Sequence, residues 1–276
     1  MSGQGIALVT GATSGIGEAI ANRLHTSGYR VFAVGRNPAA LQRLEAQGLS
    51  ARALDVTDEA AVDQLIHEID TEYGGLDVLV NCAGFPLTTP LEQLQLPDLR
   101  GLFETNIVAA LHLCQAVLPG MRSRGTGTIV NIGSTAGRFT GPGAGGYHIV
   151  KYGMEALSLA LRTEVAPFGV RVVLLDPTGV WTPFVSAQLA ENPTYPADDP
   201  YGTFKRRYAV NTQRLSRTPG VMVKAETVAA AAMRAVESKN PRPRYTVGAS
   251  GKITLFARAL LTDRMWERIL IRGLRD

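Results

Sequence analysis

Residues 143–157 read GAGGYHIVKYGMEAL and place two tyrosines, Tyr147 and Tyr152, on either side of Lys151. A phenol beside an ammonium group suggests proton transfer. The nearby cation favours phenolate and draws the tyrosine pKa toward neutrality, which suits exchange of a proton with an alcohol oxygen. Positions i and i+4 of a helix lie one turn apart on one face, so Tyr147 and Lys151 can look into the same crevice. Tyr152 follows the lysine directly and turns to another face. Against this stands the ordinary reading. The same stretch carries Met154, Leu157 and Leu161, and a tyrosine among them is by default a packing residue.

A second chemistry-bearing stretch is VTGATSGIGEAI, residues 9–20. It follows a short apolar run and opens a patterned helix. Gly11, Gly15 and Gly17 let the turn tighten and bring backbone N–H groups close to a pyrophosphate at the helix N-terminus, where the dipole favours anions. Gly11, Ser14, Gly15, Ile16 and Gly17 are the residues of that turn that would meet a dinucleotide. A carboxylate at the end of the second strand would grip a ribose 2′-hydroxyl and select NAD. That point instead reads AVGRN, with Arg36 and Asn37 after Gly35. No acid is present to repel a 2′-phosphate, and a guanidinium can pair with one, so the residues point to NADP(H).

These groups need a scaffold that brings them together, and the chain alternates in the way such a scaffold requires. Runs at 6–10, 29–35, 51–56, 76–81, 126–133 and 170–176 are apolar on both faces, as strands of a covered parallel sheet must be. A seventh strand fits 243–248. Helical periodicity falls at 15–28, 38–48, 58–74, 98–124 and 145–168. This βαβ alternation predicts an α/β fold: a Rossmann-type doubly wound parallel sheet of about seven strands, with the ligand crevice at their carboxyl ends. The 276 residues are expected to form a single dinucleotide-binding catalytic domain. Residues 183–220, with five prolines and little periodicity, are read as a substrate lid. Residues 252–276 are read as an amphipathic C-terminal extension of one or two helices.

Composition excludes several classes. Hydrophobic residues make up 45% and charged residues 19% of the chain, ordinary values for a globular core. Two cysteines, Cys82 and Cys114, and no secretory pattern before IALVT suggest a reducing cytoplasm. No apolar run approaches the roughly 18 residues of a membrane span. His25, His67, His112 and His148 lack metal-ligand spacing, so no metal is expected. Residues 205–276 hold 16 of the 28 Lys and Arg but 5 of the 24 Asp and Glu, a local net of +11. No nucleic-acid motif accompanies that charge.

The signatures TGATSGIG (10–17), LDVTD (54–58), NCAG (81–84), Asn106 in ETNIVAA, NIGS (131–134) and Tyr147-x-x-x-Lys151 together resemble the short-chain dehydrogenase/reductase family across residues 5–250. The resemblance implies that Tyr147 is the catalytic tyrosine and Lys151 its partner. It implies that Ser134 binds the substrate oxygen and that Asn106 supports a water-linked proton relay. It also places Asp55 and Val56 beside the adenine and Asn81, Ala83 and Gly84 along the ribose. Pro177, Val180 and Thr182 would lie near the nicotinamide. The chain departs from the family at DPTGVWT, where Thr178 replaces the usual glycine.

The implied activity is NADP(H)-dependent hydride transfer between nicotinamide and a ketone or secondary alcohol, with ketone reduction as the physiological direction. The alternative is a dinucleotide-binding regulatory or scaffold protein without turnover. Val180, Trp181, Phe184, Leu189, Tyr195, Tyr201, Phe204 and Tyr208 suggest a bulky apolar substrate. Lys205, Arg206, Arg207, Arg214 and Arg217 suggest an anionic or carrier-bound one. The family pairs through the helices at 98–124 and 145–168, so a homodimer or homotetramer is expected. Residues 252–276 could lie on a membrane surface, but covering the cleft or a neighbouring subunit is the expected use.

Overall fold

The computed structural model describes residues 5–182, 196 and 198–275, with the side chains of 273–275 outside that description. Phe184, Leu189 and Tyr195 of the expected lid lie outside the described residues. Strands β1 (Ile6–Thr10), β2 (Arg30–Gly35), β3 (Ser50–Ala53), β4 (Val78–Asn81), β5 (Gly127–Ile132), β6 (Val170–Pro177) and β9 (Arg244–Val247) form one sheet. Its order is β3-β2-β1-β4-β5-β6-β9, and every pairing is parallel. A separate two-stranded ribbon pairs β7 (Val180–Trp181) with β8 (Val223–Lys224).

Strands β1, β2, β4 and β5 are buried along almost their whole length, because helices cover both faces. On one face, α1 (Gly15–Thr26) and α8 (Ala225–Glu237) pack through Ile20, Leu24, Val228, Ala231 and Ala232. The small side chains of α8 let the two helices approach closely. On the other face, α3 (Glu59–Tyr73) and α5 (Ala109–Arg124) pack Ile66, Ile69, Leu113 and Val117 against Phe32 and Leu79. Helix α2 (Pro38–Ala46) begins with Asn37 as its cap, the side chain accepting from Ala40 N–H at 3.1 Å. Helix α6 (Gly145–Val165) carries the two tyrosines.

The structure differs from the sequence reading in several places, and helix α8 and the β7–β8 ribbon fall outside the elements placed from sequence. The helix expected at 98–124 begins as α4 (Leu96–Phe103), widens into a π-helical turn at Glu104–Val108, and continues as α5. Taken whole, Leu96–Arg124 is long and apolar enough to cross a membrane, although Leu102, Leu113, Val117 and Met121 are buried in the core. The third strand stops at Ala53, three residues short of the expected end, although Leu54 N–H still reaches Gly35 O at 3.1 Å. Within the expected irregular lid, Gly202–Arg217 forms a helix, α7. Pro200 and Pro219 flank this helix without interrupting it, so they act as its limits. Two helices follow β9, α9 (Ala249–Leu260) and α10 (Asp263–Arg275).

The carboxyl edge of the sheet is tied together at the point where strand order reverses, between β1 and β4. There Thr10 Oγ1 accepts from Cys82 N–H at 3.0 Å and Ala83 N–H at 3.1 Å. One edge of the sheet holds a charge cluster. Asp176 at the end of β6 is 1% exposed and lies 3.0 Å from Arg244 Nε of β9, and Arg244 also bonds Glu155 of α6. Burial pushes the Asp176 carboxyl up to about 7 although Arg244 pulls it down. Removing the guanidinium would leave two acids without their cation. Arg244→Met should therefore destabilise the protein by about 3 kcal/mol, the cost typical of breaking a buried pair, measured as a shift in urea midpoint.

Candidate active site

The carboxyl ends of the strands open into a cleft of about 1230 Å³. The turn after β1 forms one wall. Gly11 and Gly15 adopt φ of +64° and +56°, in the left-handed region that suits glycine. A Cβ on Gly17 would lie 2.3 Å from Gly11 O, so the helix start can approach the turn this closely only without a side chain. Gly11, Ser14, Gly15, Ile16 and Gly17 all line the cleft. This cradle of exposed N–H groups at a helix N-terminus fits a pyrophosphate.

Arg36, Asn37, Asp55 and Val56 continue the same wall. Arg36 Nη1 lies 3.4 Å from Asp55 Oδ2, with side chains 75% and 44% exposed. A pair this open is weakly held and leaves the guanidinium available to a phosphate. The Asp55 carboxyl is held below its ordinary value, mainly by hydrogen bonds from Thr57 N–H and Oγ1, with Arg36 adding to the effect. Two neighbours escaped the sequence reading. Arg43, paired with Glu18 at 3.1 Å, lines the cleft one helical face beyond Arg36. Thr13 also lines it, and its Cγ2 would lie 2.7 Å from a Cβ on Gly35. Arg43 stands outside every signature, and Thr13, although inside TGATSGIG, was passed over beside the glycines.

Asn106, Ser134, Tyr147 and Lys151 line the same cleft. Asn106 sits in the π-helical turn and donates from Nδ2 to Leu102 O at 2.9 Å. The widened turn leaves that carbonyl in need of a partner. Ser134 caps the 3₁₀ turn after β5, accepting from Ala136 N–H at 3.1 Å. Lys151 is buried and donates to Ile132 O at 3.2 Å, with Nζ 5.5 Å from the centre of the Tyr147 ring. Burial depresses the lysine to about 8, with Cys82 and Asp176 opposing the change.

The pKa of Tyr147 departs from the sequence expectation. Desolvation pushes the phenol up to about 12, with the hydrogen bond to Ser134 working in the other direction. Burial is the largest influence on it, so the phenol is held protonated rather than drawn toward neutrality. Tyr152 is 43% exposed and lies outside the cleft. His148 braces the rim: its Nδ1 lies 2.8 Å from Ala136 O, and Nε2 accepts from Gly141 N–H at 2.9 Å.

Among the other expected contacts, Ala83, Gly84, Pro177, Val180 and Thr182 line the cleft. Asn81 does not. Its side chain turns into the core and donates to Asn131 Oδ1 at 2.9 Å, with weaker contacts to Ala110 O and Cys114 Sγ. Asn81 therefore shapes the strand ends from behind. The irregular Thr178 fits a niche made by two glycines. A Cβ on Gly248 would meet Thr178 Cγ2 at 2.2 Å, and one on Gly251 would meet Thr178 Cβ at 3.0 Å. The departure at 178 is thus matched by glycines at the start of α9.

With the fold and site in view, the pattern described as short chain dehydrogenase matches residues 5–193, and the chain belongs to that family. Among its relatives is the NADPH-dependent 3-dehydrocapnine reductase of Ornithobacterium rhinotracheale, 32% identical over 98% of this chain and 97% of the relative. The NADP-dependent 3-hydroxy acid dehydrogenase YdfG of Escherichia coli (strain K12) is 38% identical over 62% of this chain and 71% of its own. A short-chain dehydrogenase from Streptomyces avermitilis superimposes with a TM-score of 0.80 at 31% identity, covering 99% of both chains. A closed form of serine dehydrogenase complexed with NADP+ gives 0.76 at 30% identity, covering 88% of this chain and 94% of the other.

Arg36 lines the cleft with its guanidinium exposed, and the sequence expectation that it meets a 2′-phosphate is open to a direct test. Arg36→Ala should raise the Kd for NADPH about 10- to 100-fold, the range for losing a charge-assisted hydrogen bond, and leave NADH binding unchanged by fluorescence titration. Equal weakening of both cofactors would contradict the assignment.

Proposed function

We propose that this protein reduces the ketone of a bulky apolar compound to a secondary alcohol, with Tyr147 as the proton donor. The protein is an NADP(H)-dependent short-chain dehydrogenase/reductase acting on CH–OH and C=O groups. The substrate class rests on one observation above the others. Away from the dinucleotide wall, the cleft is lined by Phe85, Phe139, Tyr208, Leu215, Ile269 and Leu270. Lys205, Arg206, Arg207, Arg214 and Arg217, which suggested an anionic substrate, do not line it. Lys205 is instead paired with Asp199 at 2.8 Å. The relative named a 3-dehydrocapnine reductase supports the reductive direction.

When bound, NADPH supplies a hydride to the carbonyl carbon. Ser134 and Tyr147 would hold the carbonyl oxygen, and Tyr147 would give it a proton as negative charge develops there. A phenol raised to about 12 is protonated at neutral pH and so suits donation. Lys151 would then restore the proton to Tyr147 and Asn106 would help order the relay, as the resemblance implies. We further propose a homodimer or homotetramer paired through α4, α5 and α6. Their outer faces expose Phe103, Leu111, Ile149, Tyr152 and Leu159, whereas Leu102, Leu113, Met154 and Leu161 are buried in the subunit's own core.

Consumption of NADPH with a panel of long-chain and aromatic ketones tests the reading. Tyr147→Phe should keep NADPH binding and lose at least about 100-fold in kcat, while Tyr152→Phe stays active. Equal losses in both variants would refute the role given to Tyr147. The pH dependence follows from the lysine. Its depressed value of about 8 means that the ammonium is present below that pH and lost above it. The kcat for reduction should therefore be level near neutrality and fall as pH rises through about 8, while Tyr147 stays protonated.

A further inference from the structure

The cleft is walled at one end by α10, as Ile269 and Leu270 show. Trp266 fixes that helix, its ring edge-on to Phe139 at 5.8 Å and its Nε1 donating to Thr140 O at 3.4 Å. The expectation that the extension covers the cleft thus accounts for the inner face of α10. It leaves the outer face of α9 without a use. There Ile253, Phe256 and Leu260 are 68%, 68% and 69% exposed. They recur at i, i+3 and i+7 with Ala249 and Ala259 beside them, so they form one stripe along the helix. Lys252 is the single charged member of that row.

Helix α10 continues the surface with a different chemistry. Arg264, Arg268 and Arg272 follow at intervals of four residues and are exposed, and Met265 and Ile269 lie next to them, each about half exposed. The corner between the helices is braced by Arg258, which bonds Asp263 Oδ1 at 2.5 Å and Leu261 O at 3.1 Å. The apolar stripe and the row of guanidinium groups thus lie on two consecutive helices joined at that braced corner. Among the described residues, no part of the chain covers the stripe.

We propose that the α9–α10 face docks on an anionic lipid bilayer, with Ile253, Phe256 and Leu260 entering the headgroup boundary and Arg264, Arg268 and Arg272 at the phosphates. Charge selects this occupant. Residues 249–272 carry five basic and two acidic side chains. A second copy on this face would have to bring two surfaces of the same net charge together. An anionic bilayer satisfies both parts, since apolar burial and headgroup attraction act together in interfacial binding. The expected subunit pairing uses other elements, α4, α5 and α6, so docking and assembly need not compete. Ile269 belongs both to this surface and to the cleft wall. An apolar ketone held in the bilayer would therefore meet the mouth of the cleft where the protein docks, a consequence that rests on the proposed substrate class.

Flotation of the full chain with vesicles tests the docking independently of turnover. The protein should float with vesicles of equal parts phosphatidylglycerol and phosphatidylcholine, and stay behind with phosphatidylcholine alone. Replacing Arg264, Arg268 and Arg272 together by Gln should weaken binding on the order of 100-fold, since each basic group near such a surface is worth about fivefold. Ile253→Asp with Phe256→Asp should abolish flotation, and both variants should bind NADPH as the parent does. Absence of flotation by the parent, or flotation unchanged by the substitutions, would overturn the proposal. So would a parent oligomer that Phe256→Asp dissociates in light scattering, because a second copy would then cover the stripe. If ketones were not reduced yet the protein floated as described, the substrate reading would fail and the docking would stand.

Discussion

A lysine ammonium buried at the edge of a sheet is unfavourable unless its surroundings offer donors and charges a partner, and Lys151 is placed under that constraint. Its one direct hydrogen bond goes to Ile132 O, the last residue of β5. That contact ties the first turns of α6 to the sheet and sets where the Tyr147 ring lies. Gly137 allows the loop after β5 to pass close by, since a Cβ there would lie 2.5 Å from Lys151 O. Asp176 raises the lysine's proton affinity from the strand beyond, and Arg244, which also bonds Glu155, holds that acid. The acid–base pair, the sheet edge and the charge cluster are therefore one mechanical unit.

The same economy of position governs the cofactor wall. Parallel strands end with their carbonyls and amides unpaired toward the cleft, and the reversal of order between β1 and β4 opens a crevice there. Thr10 closes the base of that crevice by accepting two amides from the turn after β4. Glycines at 11, 15 and 17 keep side chains out of the space above it. Arg36 stands at the rim, loosely held by Asp55, where a 2′-phosphate can replace a carboxylate as its partner.

Most of this plan was legible in the residues, because the signals were periodic and local. Strands β1, β2, β4, β5 and β6, buried along nearly their whole length, gave continuous apolar runs, whereas the edge strands β3 and β9 are only partly buried and carry mixed residues. Tyr147 and Lys151 share a face because helix geometry requires it. What stayed hidden depended on contacts distant in sequence. The direction of the Tyr147 shift is set by desolvation in the assembled cleft, which no spacing reveals. Asn81 turns inward because Asn131 and Cys114 await it across the core. Thr178 broke the family pattern, and its reason lies 70 residues on, in the niche of Gly248 and Gly251. Helix α7 was obscured because its row of Phe204, Tyr208 and Leu215 is sparse among polar residues. Stacking of Phe204 on Tyr208 at 6.2 Å supplies what aliphatic periodicity did not.

The central claim is that this site moves a hydride to a ketone carbon while Tyr147 protonates the oxygen. Its most direct test is the fate of the label when NADPH deuterated at the nicotinamide C4 is incubated with a bulky apolar ketone and the product is analysed by mass spectrometry and NMR. The account predicts one deuterium on the new carbinol carbon, with turnover that persists in Tyr152→Phe and collapses in Tyr147→Phe. Oxidation of the cofactor without deuterium in the alcohol, or label transfer undiminished by loss of the Tyr147 hydroxyl, would contradict it.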